Sequence, residues 1–222
     1  MTNSAPTHPI VWIDCEMTGL DITQDALIEI AAIVTDSELN PLDEGIDLVI
    51  KPPTEALTTM GDFVRTMHTR SGLLNELDDG LTLEDAEQRV LRYVKKHSPV
   101  ARKAPLAGNS VGTDRLFLNR DMPALTAHLH YRIIDVSSMK ELARRWYPRT
   151  YYAAPGKNGG HRALADILES IDELRYYRKA MFKESPGLDT QQSRRVAADI
   201  VQNSVSGTIT ALSVPSSEDT PN

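Results

Sequence analysis

The sequence predicts an α/β domain, a mixed sheet flanked by helices. Three strand-like stretches joined by short connections lie before residue 53, and helical periodicity alternates with short strand-like runs from residue 82 onward. The chain has 222 residues, 41% hydrophobic and 25% charged, which suits one ordinary globular domain with a tail.

The elements follow in order. A first strand is expected at about 9–15, where Val11 to Ile13 form an apolar run. A second covers 26–36 in "ALIEIAAIVTD". A third, "GIDLVIKP" at 45–52, alternates and stops at Pro52 and Pro53. Short connections make these three an antiparallel meander. At 82–97 the period changes: Leu83, Ala86, Val90 and Val94 share one helical face, and Thr82 is the expected N-cap with Asp85 three residues on. "APLAGNS" reads as a short strand. "GTDRLFLNRDMPALTAHLH" reads as helix, with Pro123 opening a second segment. "YRIIDVS" is another short strand, and "SSMKELARRWY" a helix capped by Ser137 or Ser138. Leu164, Ile167, Leu168, Ile171, Leu174, Tyr177 and Met181 form the stripe of a long final helix. Residues 184–222 are polar and read as a mostly disordered tail in which "SRRVAADIVQNSV" could form a short helix.

Composition excludes several classes of protein. Cys15 is the only cysteine, so no internal disulfide forms, as in a reducing cytosol. The start, "MTNSAPTHPI", lacks the pattern of a signal peptide, and no apolar run reaches the length of a membrane span. A cytoplasmic protein is expected. The net charge of −7 disfavours a long phosphate-gripping groove and leaves room for local recognition of a few phosphates.

The chemistry starts at "VWIDCEMTGLD". Strand side chains alternate, so Asp14 and Glu16 share one face while Cys15 points into the core. Two carboxylates that close repel unless one is protonated or a cation lies between them. Asp114 follows a Gly-bracketed turn at a helix start, and His161 and Asp166 lie in "GGHRALADILES". Five residues of one helix turn by about 500°, roughly 140° away from a common face. His161 and Asp166 can therefore converge only if the helix begins after His161, on the polar loop "PRTYYAAPGKNGG" with Gly156, Gly159 and Gly160. Four carboxylates and one imidazole suit phosphodiester hydrolysis with two divalent ions. The acids hold Mg²⁺ or Mn²⁺, and the histidine takes a proton from water. Taken singly, each residue has a commoner explanation: a solvated strand end, an acid at a helix N-terminus, a surface histidine. Together they do not. His128 and His130 in "HLH" read as a helix end, the run at 92–103 as a solvated helix end, and Asp135 as an N-cap-adjacent or structural acid outside the metal set. Arg144 and Arg145 beside Trp146 suit a dimer surface or phosphate steering equally. Tyr151 and Tyr152 suit a lid or simple packing.

"WIDCEMTGLD", "GNSVGTD" and "HRALAD" resemble the three motifs of the DEDDh 3′–5′ exonucleases, and "HYRIIDVSSMKELARRW" and "NSVGTDRLFL" resemble the oligoribonuclease branch. The resemblance spans about residues 8–182. It implies a ribonuclease-H-like fold, with an exonuclease domain over 1–183 and a tail over 184–222. It also implies a homodimer and 3′-end cleavage of very short RNA, dinucleotides above all. Asp14, Glu16, Asp114 and Asp166 match the metal-binding acids and His161 the general base. Leu20 matches the residue wedged between two bases, and Ser110, Arg132, Ser137 and Ser138 the group that caps the substrate's 5′ phosphate. Tyr131 matches an aromatic reaching in from the other subunit. Phe63 stands at a base-stacking position where family members often carry Trp. The alternatives differ in class: a DEDDh exonuclease trimming DNA ends or longer RNA, which needs a longer phosphate groove, and a non-catalytic binding module, which would lack a motif residue.

Overall fold

The computed structural model describes residues 8–156 and 160–205. A five-stranded mixed sheet runs in the order β3-β2-β1-β4-β5. Its strands are β1 (Ile10–Met17), β2 (Leu27–Thr35), β3 (Ile46–Val49), β4 (Leu106–Gly108) and β5 (Ile133–Asp135). The first three pair antiparallel, and β4 and β5 add parallel to β1. All nine residues of β2 are buried, which accounts for its unbroken Ile-, Val- and Ala-rich composition: both faces are covered. β1 runs through both acids, to Met17, past the expected end at residue 15. β3 is shorter than expected, and its neighbour Ile50 bridges to Leu81 instead.

Alternation along β1 divides the interior into two cores. Val11, Ile13, Cys15 and Met17 face one side, with Ala86, Val90 and Val94 of α3 (Leu83–His97), Phe117 and Leu118 of α4 (Gly112–Asp121) and Leu125 of α5 (Pro123–His128). Trp12 faces the other, with Val136 and Ala143 of α6 (Val136–Trp146) and Ala163, Ile167, Ile171 and Tyr177 of α8 (Ala163–Met181). Trp12 donates its indole N–H to Thr35 Oγ1 at 3.1 Å, so burial leaves no unmet polar atom there. The register shifts between Glu16, which pairs with Glu29, and Met17, which pairs with Leu27. Ile28 therefore bulges into a third core with Met60, Leu73 and Leu77. That core lies under α1 (Thr54–Thr59), α2 (Asp62–Arg70) and two short 3₁₀ turns at Leu73–Asn75 and Leu77–Asp79. The sequence predicts no element over 54–81, because these short Thr-rich, polar segments carry little apolar periodicity.

Three further expectations need correction. Asp135, not Ser137 or Ser138, caps α6; its carboxylate accepts the Ser137 N–H. Leu168 is about half exposed and lies off the buried stripe of α8. The 148–160 loop opens with a short helix, α7 (Pro148–Tyr152), and Gly159 and residues 1–7 lie outside the described residues. Thr82 does cap α3, accepting the Asp85 N–H at 3.1 Å. Contacts divide the chain into two units, Met1–Met181 and Phe182–Asn222. The second contains α9 (Thr190–Gln202), which opens with a reciprocal Asp189–Gln192 capping box and overlaps the segment read as a possible short helix. Residues 206–222 lie outside the described residues.

Leu118 is fully buried on α4, the helix that presents Asp114 from its first turn. Leu118→Ala is expected to destabilise the protein by about 2–5 kcal/mol, read from the urea midpoint at pH 7; a loss below about 1 kcal/mol would show that this core collapses without cost.

Candidate active site

Asp14 and Glu16 project from the same face of β1 as Trp12, toward α8. Cys15 between them points into the opposite core and is buried. The parallel pairing of β1 with β4 ends at Trp12–Ala107, so further along the strand loses its neighbour. The Asp114 carboxylate takes over there, accepting the Cys15 N–H at 3.1 Å. Asp114 is itself buried and sits in the first turn of α4, where the helix dipole favours negative charge.

His161 lies on the loop just before α8, exposed and at φ 47°, and the helix begins at Ala163. Asp166 is in the first turn, and its N–H bonds to Arg162 O at 3.1 Å. The convergence that a continuous helix forbids is thus achieved: ligand atoms of Glu16, His161 and Asp166 all lie within 4.8 Å of one another.

The acids perturb one another. Burial first, then the charges of Asp114, Glu16 and Asp166, push Asp14 up to about 9. Burial and Asp166, with Glu29 and Asp114, push Glu16 to about 8. Burial pushes Asp114 to about 7. Each carboxylate is held where its own charge is unfavourable. A divalent cation reverses that balance, and an all-oxygen set with one imidazole fits a hard cation better than a soft one.

Beside the acids, Asp62, Phe63, Thr66 and Met67 of α2 face Gly160 and His161 across a cleft of about 700 Å³. Phe63 is 81% exposed on α2 and Leu20 is 76% exposed on the β1–β2 loop. Ser110, Ser137 and Ser138 gather around Asp135. The Ser110 N–H donates to Asp135 Oδ1 and Ser137 Oγ, both at 2.9 Å, and the Ser138 hydroxyl donates to Asp135 Oδ2 at 3.4 Å. Arg132 does not join that group within one chain. It precedes β5 while the serines Ser137 and Ser138 follow it, and its guanidinium lies 5.4 Å over the ring of Tyr131. Tyr131 is 73% exposed and stacks on His130.

Several side chains that shape the site carry no motif of their own. Buried His68 donates from Nε2 to Met17 O at 2.9 Å, and its Nδ1 stands 3.9 Å from Glu16 Oε2. Asp25 fixes the loop bearing Leu20 by accepting from Thr18 Oγ1 and Asp21 N, and a Cβ at Gly19 would fall 2.4 Å from its carboxylate. Glu29 is fully buried opposite Glu16. Glu29 was hidden in an apolar strand; its one legible signal is that an acid interrupts "LIEIAAIV". His128 bonds to Ser98 O and His130 accepts the Arg132 N–H, so "HLH" is structural. Arg144 and Arg145 pair with Glu141, while Tyr151 packs on the core and Tyr152 is exposed.

Fold and site define a nuclease of the exonuclease class. The RNase T exonuclease family profile matches residues 11–174. The chain is 66% identical over 189 residues to the oligoribonuclease of Streptomyces avermitilis, covering 85% of this chain and 94% of that one. It is 60% identical over 193 residues to that of Leifsonia xyli (87% and 93%) and 56% identical over 192 residues to that of Mycobacterium leprae (86% and 89%). Solved structures of exonuclease I share the fold. One from Methylocaldum szegediense has TM-score 0.56 at 21% identity, and the E. coli enzyme with a dA16 oligonucleotide has 0.61 at 18%. The match covers 79% of this chain and 41% and 42% of those longer proteins. The chain belongs to the oligoribonuclease family and is a 3′–5′ exoribonuclease, a phosphodiester hydrolase.

The raised carboxyls set an expected pH dependence. Their folded values lie above the ordinary 3.8 of Asp and 4.5 of Glu, so their contribution to stability is full below those values and is lost as pH rises toward about 9. The Tm of the metal-free protein should fall between pH 6 and 9, and Mn²⁺ should raise Tm more at pH 8 than at pH 6, with proton release on binding. A metal-free Tm that is flat or rising over that range would contradict this electrostatic picture.

Proposed function

We propose that this exoribonuclease hydrolyses short oligoribonucleotides, dinucleotides above all, from the 3′ end to nucleoside 5′-monophosphates, and so completes RNA degradation. Convergence of Glu16, Asp166 and His161 within 4.8 Å, under the charges of Asp14 and Asp114, carries this reading. Asp14, Glu16, Asp114 and Asp166 would hold two divalent ions, Mg²⁺ or Mn²⁺. Such ions activate water and stabilise the departing oxygen. His161, in its neutral form, takes the proton of the attacking water. The water oxygen joins phosphorus, the P–O3′ bond breaks, and solvent protonates the released 3′ oxygen. Leu20, exposed on the β1–β2 loop, and Phe63, exposed on the cleft it shares with His161, wedge and stack the bases. Ser110, Ser137 and Ser138 form one end of the site and, with Arg132, cap the 5′ phosphate. The net charge of −7 supports a short substrate over a long one.

The same reading makes the protein a homodimer in the cytoplasm. Leu116, Tyr131, Ile133 and Trp146 are exposed apolar or aromatic side chains in one region of the sequence, and Tyr131 is the residue that would complete the other subunit's site. Because Arg132 stacks on Tyr131, a tyrosine reaching across would bring the guanidinium with it. No helix among the described residues is long and apolar enough to cross a membrane.

The test is turnover of 5′-phosphorylated RNA of two to seven nucleotides with Mn²⁺, for wild type, His161→Ala and Arg132→Ala. The dinucleotide is expected to have the highest kcat/KM. His161→Ala should bind it but lose about 100-fold or more in kcat, and Arg132→Ala should penalise the dinucleotide most. Faster turnover of longer RNA or of DNA would favour the end-trimming alternative.

A further inference from the structure

Arg162 sits between His161 and the first residue of α8. Its Nε donates to Glu29 Oε1 at 2.7 Å, and its Nη1 and Nη2 donate to Glu76 Oε1 and Oε2 at 2.8 and 3.2 Å. The second Glu29 oxygen accepts the Ala163 N–H at 2.9 Å. Glu29 is wholly buried, lies across the strand pair from Glu16, and its charge bears on both Asp14 and Glu16. Glu76 stands between the two 3₁₀ turns, on the wall that also carries α2 and Phe63. Among the described residues His161 has no comparable anchor of its own. It is exposed, at positive φ, and follows Gly160.

We propose that Arg162 is a positioning residue. By bridging Glu29 and Glu76 it fixes the backbone from which His161 reaches Glu16 and Asp166. The inference rests on the reading of His161 as the base. Only a guanidinium can do this, because its planar fork grips Glu76 at two points while Nε satisfies Glu29; a lysine offers one point charge. Among the described residues, the side-chain hydrogen bonds of Arg162 run to these two acids and to none of the proposed base-stacking or phosphate-capping side chains. Its removal should therefore affect rate, leaving substrate affinity nearly unchanged.

Steady-state turnover of an RNA dinucleotide at saturating Mn²⁺ tests this with the full chain. The proteins are wild type, Arg162→Gln, Glu76→Gln, His161→Ala, and His161→Ala combined with each of the other two. Arg162→Gln is expected to lower kcat by about 10- to 100-fold, with KM within about threefold of wild type. Glu76→Gln, which leaves the Arg162–Glu29 pair in place, should lower kcat less; it carries the test if Arg162→Gln does not fold. Neither substitution should lower the residual rate of His161→Ala, since nothing remains for the clamp to position. Losses that multiply with that of His161→Ala, or a change confined to KM, overturn the proposal. A His161→Ala protein with the wild-type rate overturns the base assignment itself, and the clamp with it, a result distinct from the other two.

Discussion

Repulsion among carboxylates at the end of β1 is the constraint on which the rest of this structure depends. Asp14, Glu16 and Asp114 are all pushed toward neutrality, by burial first, and for Asp14 and Glu16 by neighbouring carboxylates as well. A chain left to itself would relax such a cluster by turning the acids outward. Here the backbone does not allow it. β1 is an interior strand, flanked by β2 and β4, and its opposite face is anchored by Val11, Ile13, Cys15 and Met17. Asp114 is tied to the Cys15 N–H, and Asp166 is carried in the first turn of a helix whose buried stripe runs to Tyr177. The apolar cores thus hold the charged groups in a geometry that only a cation makes comfortable.

The irregular parts of the fold serve the same end. The bulge at Ile28 swings that side chain under α1 and α2, which places Phe63 beside the acids and lets His68 bond to Met17 O. The tight Thr18–Asp25 loop leaves no room for a side chain at position 19, and its reward is a leucine presented outward on a fixed backbone. Polar networks behind the serines do comparable work. Asn109 donates to Ser170 and Glu173 of α8 and accepts from Ser137, tying the serine cluster around Asp135 to the helix that carries Asp166.

Much of this was legible in the sequence because it follows from periodicity. Period two placed Asp14 and Glu16 together, and a five-residue spacing ruled out a helix through His161. Apolar stripes located α3 and α8. What escaped was non-local or short. Asp135 outcompetes Ser137 and Ser138 as the cap of α6 because its carboxylate also reaches Ser110, 25 residues away in sequence, a contact that no local pattern encodes. Helices α1 and α2 depend on packing against a β-bulge. Glu29 and Arg162 are 133 residues apart and meet only in the folded chain. Leu168 followed the right spacing yet is about half exposed, while Ile167 and Ile171 on either side of it carry the buried stripe.

The central claim is that the fold holds these acids against their mutual repulsion for the sake of a cation. Asp14→Asn tests it most directly, because it removes one charge while keeping shape. Thermal unfolding of the metal-free variant and of the metal-free wild type at pH 8, beside dinucleotide turnover with Mn²⁺, gives the answer. The account expects the variant to unfold at an equal or higher temperature than wild type without metal, to gain less from Mn²⁺, and to lose most of its turnover. A variant less stable than wild type without metal, with turnover undiminished, would contradict it.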